Sequence, residues 1–224
     1  DCISLNNLND MDFVTNKVMD MSNLFKGCLA LKSVDVSKFD TSQVIDMSNM
    51  FSFCISLSKI DVSNFITNNV KNMSGMFSTC SSIKELSVSK FNTEKVEDMS
   101  YMFDYCNELT SIDVSNFKTN NVVNMCSMFK YGGTFTDLDV SKFDTSEVTD
   151  MSNMFDNLVK LKRLDVSHFD TSKVKDMSYM FQNCQALTVL DVSHFNTENV
   201  ENFEHTFEQC KTIKILDVSE FKTR

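Results

Sequence analysis

Phenylalanine returns every 26 residues along this chain, at Phe13, Phe39, Phe65, Phe91, Phe117, Phe143, Phe169, Phe195 and Phe221, with no insertion or deletion. The residues between these marks repeat too, and Phe169 to His194, FDTSKVKDMSYMFQNCQALTVLDVSH, can stand for all of them. Self-similarity at a fixed period of this size marks a solenoid, in which each repeat is one coil resting on its neighbours. The 224 residues, 1–224, therefore read as a single array of about 8.5 coils, not as one or two globular domains.

Counting each Phe as position 0 aligns the coils into columns. Position 2 is Thr from Thr15 to Thr223, position 5 Val from Val18 to Val200, position 12 Phe from Phe25 to Phe207, and position 23 Val from Val36 to Val218. Position 8 is Met except at Phe203, and position 11 is Met except at Leu24 and Thr206. Positions 18 and 21 are always apolar. Columns 0, 5, 8, 11, 12, 15, 18, 21 and 23 are the expected core. Two coils depart from the pattern: the one from Phe117 carries Cys126, Gly132, Gly133 and Phe135, and the one from Phe195 carries Phe203, Glu204 and Thr206.

Two hydrophobic periods share each coil. Positions 21 to 24, as in Leu190-Asp191-Val192-Ser193, alternate with period two, which predicts a short strand with Leu and Val inward. Positions 5, 8, 11, 12 and 15 are spaced by three or four, which predicts a short helix over roughly positions 8 to 15. Position 7 is only Asp or Asn, from Asp20 to Asn202, and both are favoured helix N-caps. The Thr hydroxyl is expected to satisfy backbone groups at a corner. One coil buries too little to offset its own ordering, so coils must share a core through stacked, parallel strands. The fold class is thus α/β, a solenoid with a short parallel strand and a short helix per coil. Helices are wider than strands, so the strands should line the concave side.

Composition narrows the function. The net charge of -10 argues against nucleic acid or an anionic membrane as partner. No run of 18 apolar residues exists, so nothing here inserts into a bilayer. The opening DCISLNNLND is not a signal peptide. The first coil is entered partway and the last stops at Arg224, with no polar cap at either end. The array is therefore expected to be a segment of a longer chain, or to have its ends covered.

Positions 18 to 26, as in Leu187, Leu190, Val192 and Phe195, resemble the Leu-x-x-Leu-x-Leu-x-x-Asn core of leucine-rich repeats, with Phe in place of Asn. The whole unit, FDTSxVxDMSxMFxxCxxLxxLDVSx, is similar to the mycoplasma-type lipoprotein repeat of BspA-like leucine-rich-repeat surface proteins. That resemblance covers nearly the whole chain. It implies a surface or secreted protein with roles in adhesion or host contact, and it brings no catalytic residues.

Three sets of polar or reactive side chains recur. Position 15 holds Cys2, Cys28, Cys54, Cys80, Cys106, Cys184 and Cys210. An inward stripe that alternates with Gly132 and Leu158, with no Cys-x-x-Cys and no His partner, reads as buried free thiols rather than disulfides or a metal site. Position 22 holds Asp35, Asp61, Asp113, Asp139, Asp165, Asp191 and Asp217, with Ser87 as the exception, and position 24 is Ser throughout. These would line the concave face beside the position-25 residues Lys38, Lys90, Lys142, His168 and His194, as a candidate interaction stripe for calcium or another ligand, or as structural hydrogen-bonding groups. His168 and His194 read as a solvated pair, and the sequon at Asn72 as a cap. One Thr per coil is too sparse for an ice-binding face. No triad, phosphate loop or paired-carboxylate cleft is visible, so no enzyme and no cofactor is expected. The chain reads as a non-enzymatic protein-interaction or adhesion module meeting a host or neighbouring-cell protein. The alternative is a filament or coat subunit that binds itself end to end.

Overall fold

The computed structural model describes residues 2–6, 8, 13–132 and 134–222; Thr223, Arg224 and Gly133 lie outside the described residues. Equivalent residues of successive coils lie side by side. At position 7 a parallel ladder of single bridges runs Asp20–Asp46–Asn72–Asp98–Asn124–Asp150–Asp176–Asn202. A second, intermittent set joins position 20, at Ser33–Lys59 and Asp137–Arg163.

The expected helix is absent: no described residue is helical. Positions 8–11 and 12–15 form two tandem four-residue turns. In the coil from Phe39, Met50 N donates to Met47 O and Cys54 N to Phe51 O, each closing one turn. The third residue of each turn is left-handed, as at Asn49 (φ 54°) and Phe53 (φ 60°), the sign a type II turn requires there. The same two positions are left-handed in every coil, from Asn23 and Gly27 to His205 and Gln209. Two consecutive turns whose end residues face inward place 8, 11, 12 and 15 on one side, the same spacing an amphipathic helix gives.

The donors of this stretch are fully accounted for. Met47, Asn49, Phe51 and Phe53 donate to the carbonyls of Asn72, Ser74, Met76 and Ser78 in the next coil. Met50, Ser52 and Cys54 donate three residues back. Ser48 N donates to Asp46 Oδ1. A helix would turn all these donors inward along one coil. The turn stack sends every second one across to its neighbour, and so ties the array together.

The strand is also reduced. Its burial alternates as expected, with Val114 1% exposed between exposed Asp113 and Ser115, and Phe103 fully buried. Yet among the described residues nothing longer than an isolated bridge forms. The reason is local. Asp113 Oδ1 accepts the N–H of Ser115, and Phe117 N donates to Val114 O, so the chain turns away after three extended residues.

The core fills the expected columns. The position-12 rings stack along the array, with Phe25, Phe51, Phe77, Phe103, Phe129, Phe155, Phe181 and Phe207 at centroid spacings of 5.4 to 6.2 Å. In the coil from Phe195, Phe203, Phe207, Cys210 and Leu216 are only partly buried. The position-2 threonines are inter-coil clasps. Thr93 Oγ1 donates to Lys118 O at 2.9 Å and accepts from Lys118 N at 2.7 Å. Thr15, Thr41, Thr67 and Thr119 repeat this bond pair.

The irregular coil from Phe117 is compensated rather than broken. Phe135, larger than the usual Leu, is 1% exposed. A Cβ on Gly132 would lie 2.6 Å from Phe129 O and 2.8 Å from the Phe135 ring. The large residue at position 18 thus requires the small one at position 15.

Candidate functional site

The position-22 carboxylates are exposed on one face, and each is already used within its own coil. Asp35, Asp61, Asp113, Asp139, Asp165, Asp191 and Asp217 each accept the N–H of the Ser two residues on, at 2.9 to 3.1 Å. Hydrogen bonds from that Ser hold every one of these carboxyls below the usual range, so the row is fully charged at neutral pH. Like charges register along it: Asp139 pushes Asp113 up and Asp191 pushes Asp217 up. Where Ser87 interrupts the row, its hydroxyl meets that of Ser89 at 3.1 Å, and a hollow of 810 Å³ opens between Asp61 and Asp113.

The flanking position-25 residues are exposed, and several reach back one coil. Lys38 and Lys142 lower Asp35 and Asp139 by charge, while Lys90 is exposed on the same column. His168 Nε2 lies 3.0 Å from Val140 O, and His194 Nε2 lies 3.1 Å from Val166 O. Each ring also stands edge-on against the following Phe169 or Phe195. Both rings stay exposed, and each also clasps a backbone carbonyl of the coil before it, as Asn116 clasps Ser89 O. Asn72 caps as expected, accepting from Ser74 N and Oγ, although no helix follows.

All eight cysteines are free thiols. In the column, Cys54, Cys80, Cys106, Cys184 and Cys210 point Sγ at the position-12 carbonyl of the preceding coil, at 3.1 to 3.3 Å. Burial pushes Cys54 and Cys106 up to about 12 and Cys80 well above its ordinary value. Cys2 departs from the expectation: it is exposed, and Cys210 is half-buried. Among the described residues no cluster of His, Cys, Asp or Glu could hold a metal ion, and no helix is long and apolar enough to cross a membrane.

A second face was not legible in the repeat: the outer side of the turn stack, made by columns 9, 10, 13 and 14. Here the residues of columns 10, 13 and 14 vary from coil to coil. A hollow of 640 Å³ spans the coils from Phe39, Phe65 and Phe91, lined by Phe53, Gly75, Thr79, Tyr101, Asp104, Tyr105 and surrounding Ser and Asn side chains. Gly75 (φ 60°) opens it, since a Cβ there would approach Asn49 Oδ1 to 2.7 Å. Asp104 is 8% exposed, and its Oδ1 is buried without a hydrogen-bond partner. Burial pushes its carboxyl up to about 7, against the pull of Lys130. Lys130 itself turns to Asp156 Oδ2 at 3.1 Å and Asn153 Oδ1 at 2.7 Å. One signal could have pointed here. All four tyrosines, Tyr101, Tyr105, Tyr131 and Tyr179, fall in columns 10 and 14.

Against this geometry the comparisons with known proteins are informative. The family described as "Mycoplasma protein of unknown function, DUF285" matches residues 2–111, 72–186 and 132–224 in overlapping registers. The chain belongs to that family. No curated protein matches it. Among solved structures, a leucine-rich repeat protein from Eubacterium ventriosum is 17% identical, with a TM-score of 0.52 over 96% of this chain and 61% of its own. A leucine rich cell surface protein from Faecalibacterium prausnitzii is 18% identical, with a TM-score of 0.50 over 96% of this chain and 67% of its own. The chain thus has a leucine-rich-repeat solenoid fold and spans about three-fifths of the first of these proteins.

Proposed function

We propose that this chain is a non-enzymatic recognition module of a cell-surface protein and that it binds a protein partner through the position-22 stripe. The observation that carries this reading is the row of exposed, fully charged carboxylates from Asp35 to Asp217, repeated once per coil and interrupted at Ser87. Such a row suits a basic, extended partner surface and a salt-sensitive encounter. Kinship with a leucine-rich cell surface protein supports the location.

The test is binding of the purified chain to a panel of basic and acidic extracellular proteins, at low and high salt. Basic partners should bind, with affinity falling as salt rises. Replacing Asp113, Asp139 and Asp165 together by Ser, the residue found at position 87, should weaken binding roughly tenfold or more while leaving thermal unfolding nearly unchanged. Equal binding by the triple variant would defeat the stripe. Self-assembly into long polymers without partner binding would favour the filament reading instead.

A further inference from the structure

The hollow on the turn-stack face uses a different set of columns from the stripe, and the inference drawn from it does not depend on the stripe. We propose that this hollow receives the guanidinium of an arginine side chain presented by a partner protein. Asp104 supplies the anchor. It is 8% exposed, lines the hollow, and keeps Oδ1 buried with no donor. Buried carboxylate oxygens are normally satisfied, so Asp104 gains by turning its carboxylate toward an N–H donor that enters the hollow. The charge of Lys130 reaches Asp104, but its ammonium gives its contacts to Asp156 Oδ2 and Asn153 Oδ1, one coil further on.

The walls favour guanidinium over other donors. Phe53, Tyr101 and Tyr105 are 47%, 46% and 39% exposed around the hollow. Tyr105 is held by stacking on Tyr131 at 4.3 Å. A guanidinium is planar and weakly hydrated, lies well against aromatic faces, and offers N–H donors in a fixed fork. An ammonium is more strongly hydrated and gains less there. Gly75 provides the room, because three other coils carry Asn at its position, Asn23, Asn49 and Asn153. The charge is complementary: the chain carries -10, and the acid in the hollow keeps one oxygen without a hydrogen-bond donor.

The experiment is an NMR titration of the whole chain with the tripeptide acetyl-Gly-Arg-Gly-amide. Its citrulline analogue keeps the shape and removes the charge, and a methyl glycoside probes a sugar site. Saturable shifts are expected at the Gly75, Thr79 and Tyr101 amides with the arginine peptide. The citrulline peptide and the Asp104→Asn variant should each bind roughly tenfold more weakly. Gly75→Asn should fill the hollow and abolish binding, and Asp104→Ser, which copies Ser52 and Ser78, guards against a misfolded Asn variant.

Binding should tighten from about pH 6 to about pH 8, as Asp104 loses its proton near 7. The facing groups are Lys130, Asp156, Tyr101, Tyr105 and the Cys106 thiol, which burial pushes up to about 12. Tyr101 is pushed up to about 12 and Tyr105 is raised, so both phenols stay neutral across that window. Equal binding of arginine and citrulline peptides, undiminished binding to both Asp104 variants, tighter binding of the glycoside, or no saturable shift would each overturn the proposal.

Discussion

The stripe face and the turn-stack face are built from the same coil, yet they treat their carboxylates in opposite ways. On the stripe, Asp139 is exposed and its Oδ1 is taken up by Ser141 N. On the turn stack, Asp104 is buried and one oxygen is bonded to nothing. The stripe columns recur almost without change, because each residue closes a turn that every coil needs. Columns 10 and 14 vary, because the turn there asks only for a left-handed backbone and leaves the side chain free, and column 13 between them varies too. Recurrent positions hold the array together, and variable ones give one stretch of it its own chemistry.

The sharpest way to break this contrast is at the coil where recurrence itself fails. Gly132→Ala should cost about 3 kcal/mol in urea unfolding, since its Cβ meets a backbone oxygen and the Phe135 ring. Phe135→Leu alone should cost about 1–2 kcal/mol through the cavity it leaves. The double change Gly132→Ala with Phe135→Leu gives the added methyl group room, and should cost clearly less than the sum of its parts. Additive costs would show that the two sites do not share one space.

Next in size is the loss of a clasp. Thr93→Val keeps the volume but strands the N–H and C=O of Lys118, and should cost about 1–3 kcal/mol. Thr93→Ser should recover most of that. A Val variant as stable as wild type would make the hydroxyl ladder ornamental.

Asp104 should behave as a liability with a defined pH sign. Its folded carboxyl is raised to about 7 from an ordinary 3.8, so between those values the folded chain binds more protons than the unfolded one. Its burden is absent below about pH 4, grows as pH rises toward 7 and levels off above it. Asp104→Asn should therefore stabilise by about 1–2 kcal/mol at about pH 8 and by little at about pH 4. Thermal unfolding at both pH values checks this, and an equal effect at both would show that Asp104 is already ionised and satisfied.

The smallest effect is expected on the stripe. Asp139→Ser should change stability by less than about 0.5 kcal/mol at neutral pH, because the side chain is exposed and Ser is already found at position 87. The lowered carboxyl makes even that contribution disappear as pH falls through its folded value. A loss comparable to that of Thr93→Val would erase the distinction between exposed and buried hydrogen bonds.

Much of this was legible in the sequence. The core columns, the Thr corners, the capping role of the position-7 residues and the inward thiols all follow from which residue types recur where. The helix was misread because two tandem turns and one amphipathic helix share the spacing of positions 8, 11, 12 and 15. The discriminating residues were present at positions 10 and 14, where Asn23, Gly27, Asn49, Gly75, Asn153, Asn157 and Asn183 supply types that tolerate a left-handed backbone. The strand was overestimated because Asp-x-Ser at positions 22 to 24 is itself a turn signal. The hollow escaped because a repeat-based reading weighs what every coil shares, and Gly75, Tyr101 and Asp104 come together in one stretch only.

The most direct test of the turn stack is where the Phe51 N–H goes. In the coil-to-coil arrangement it bonds Met76 O at 2.9 Å, with Asn49 left-handed at φ 54°. In a helix it would bond Met47 O, with a negative φ at Asn49. NMR scalar coupling across the hydrogen bond distinguishes the two. The account predicts a coupling from the Phe51 nitrogen to the Met76 carbonyl carbon and a positive φ at Asn49. A coupling to the Met47 carbonyl carbon with a negative φ would contradict it.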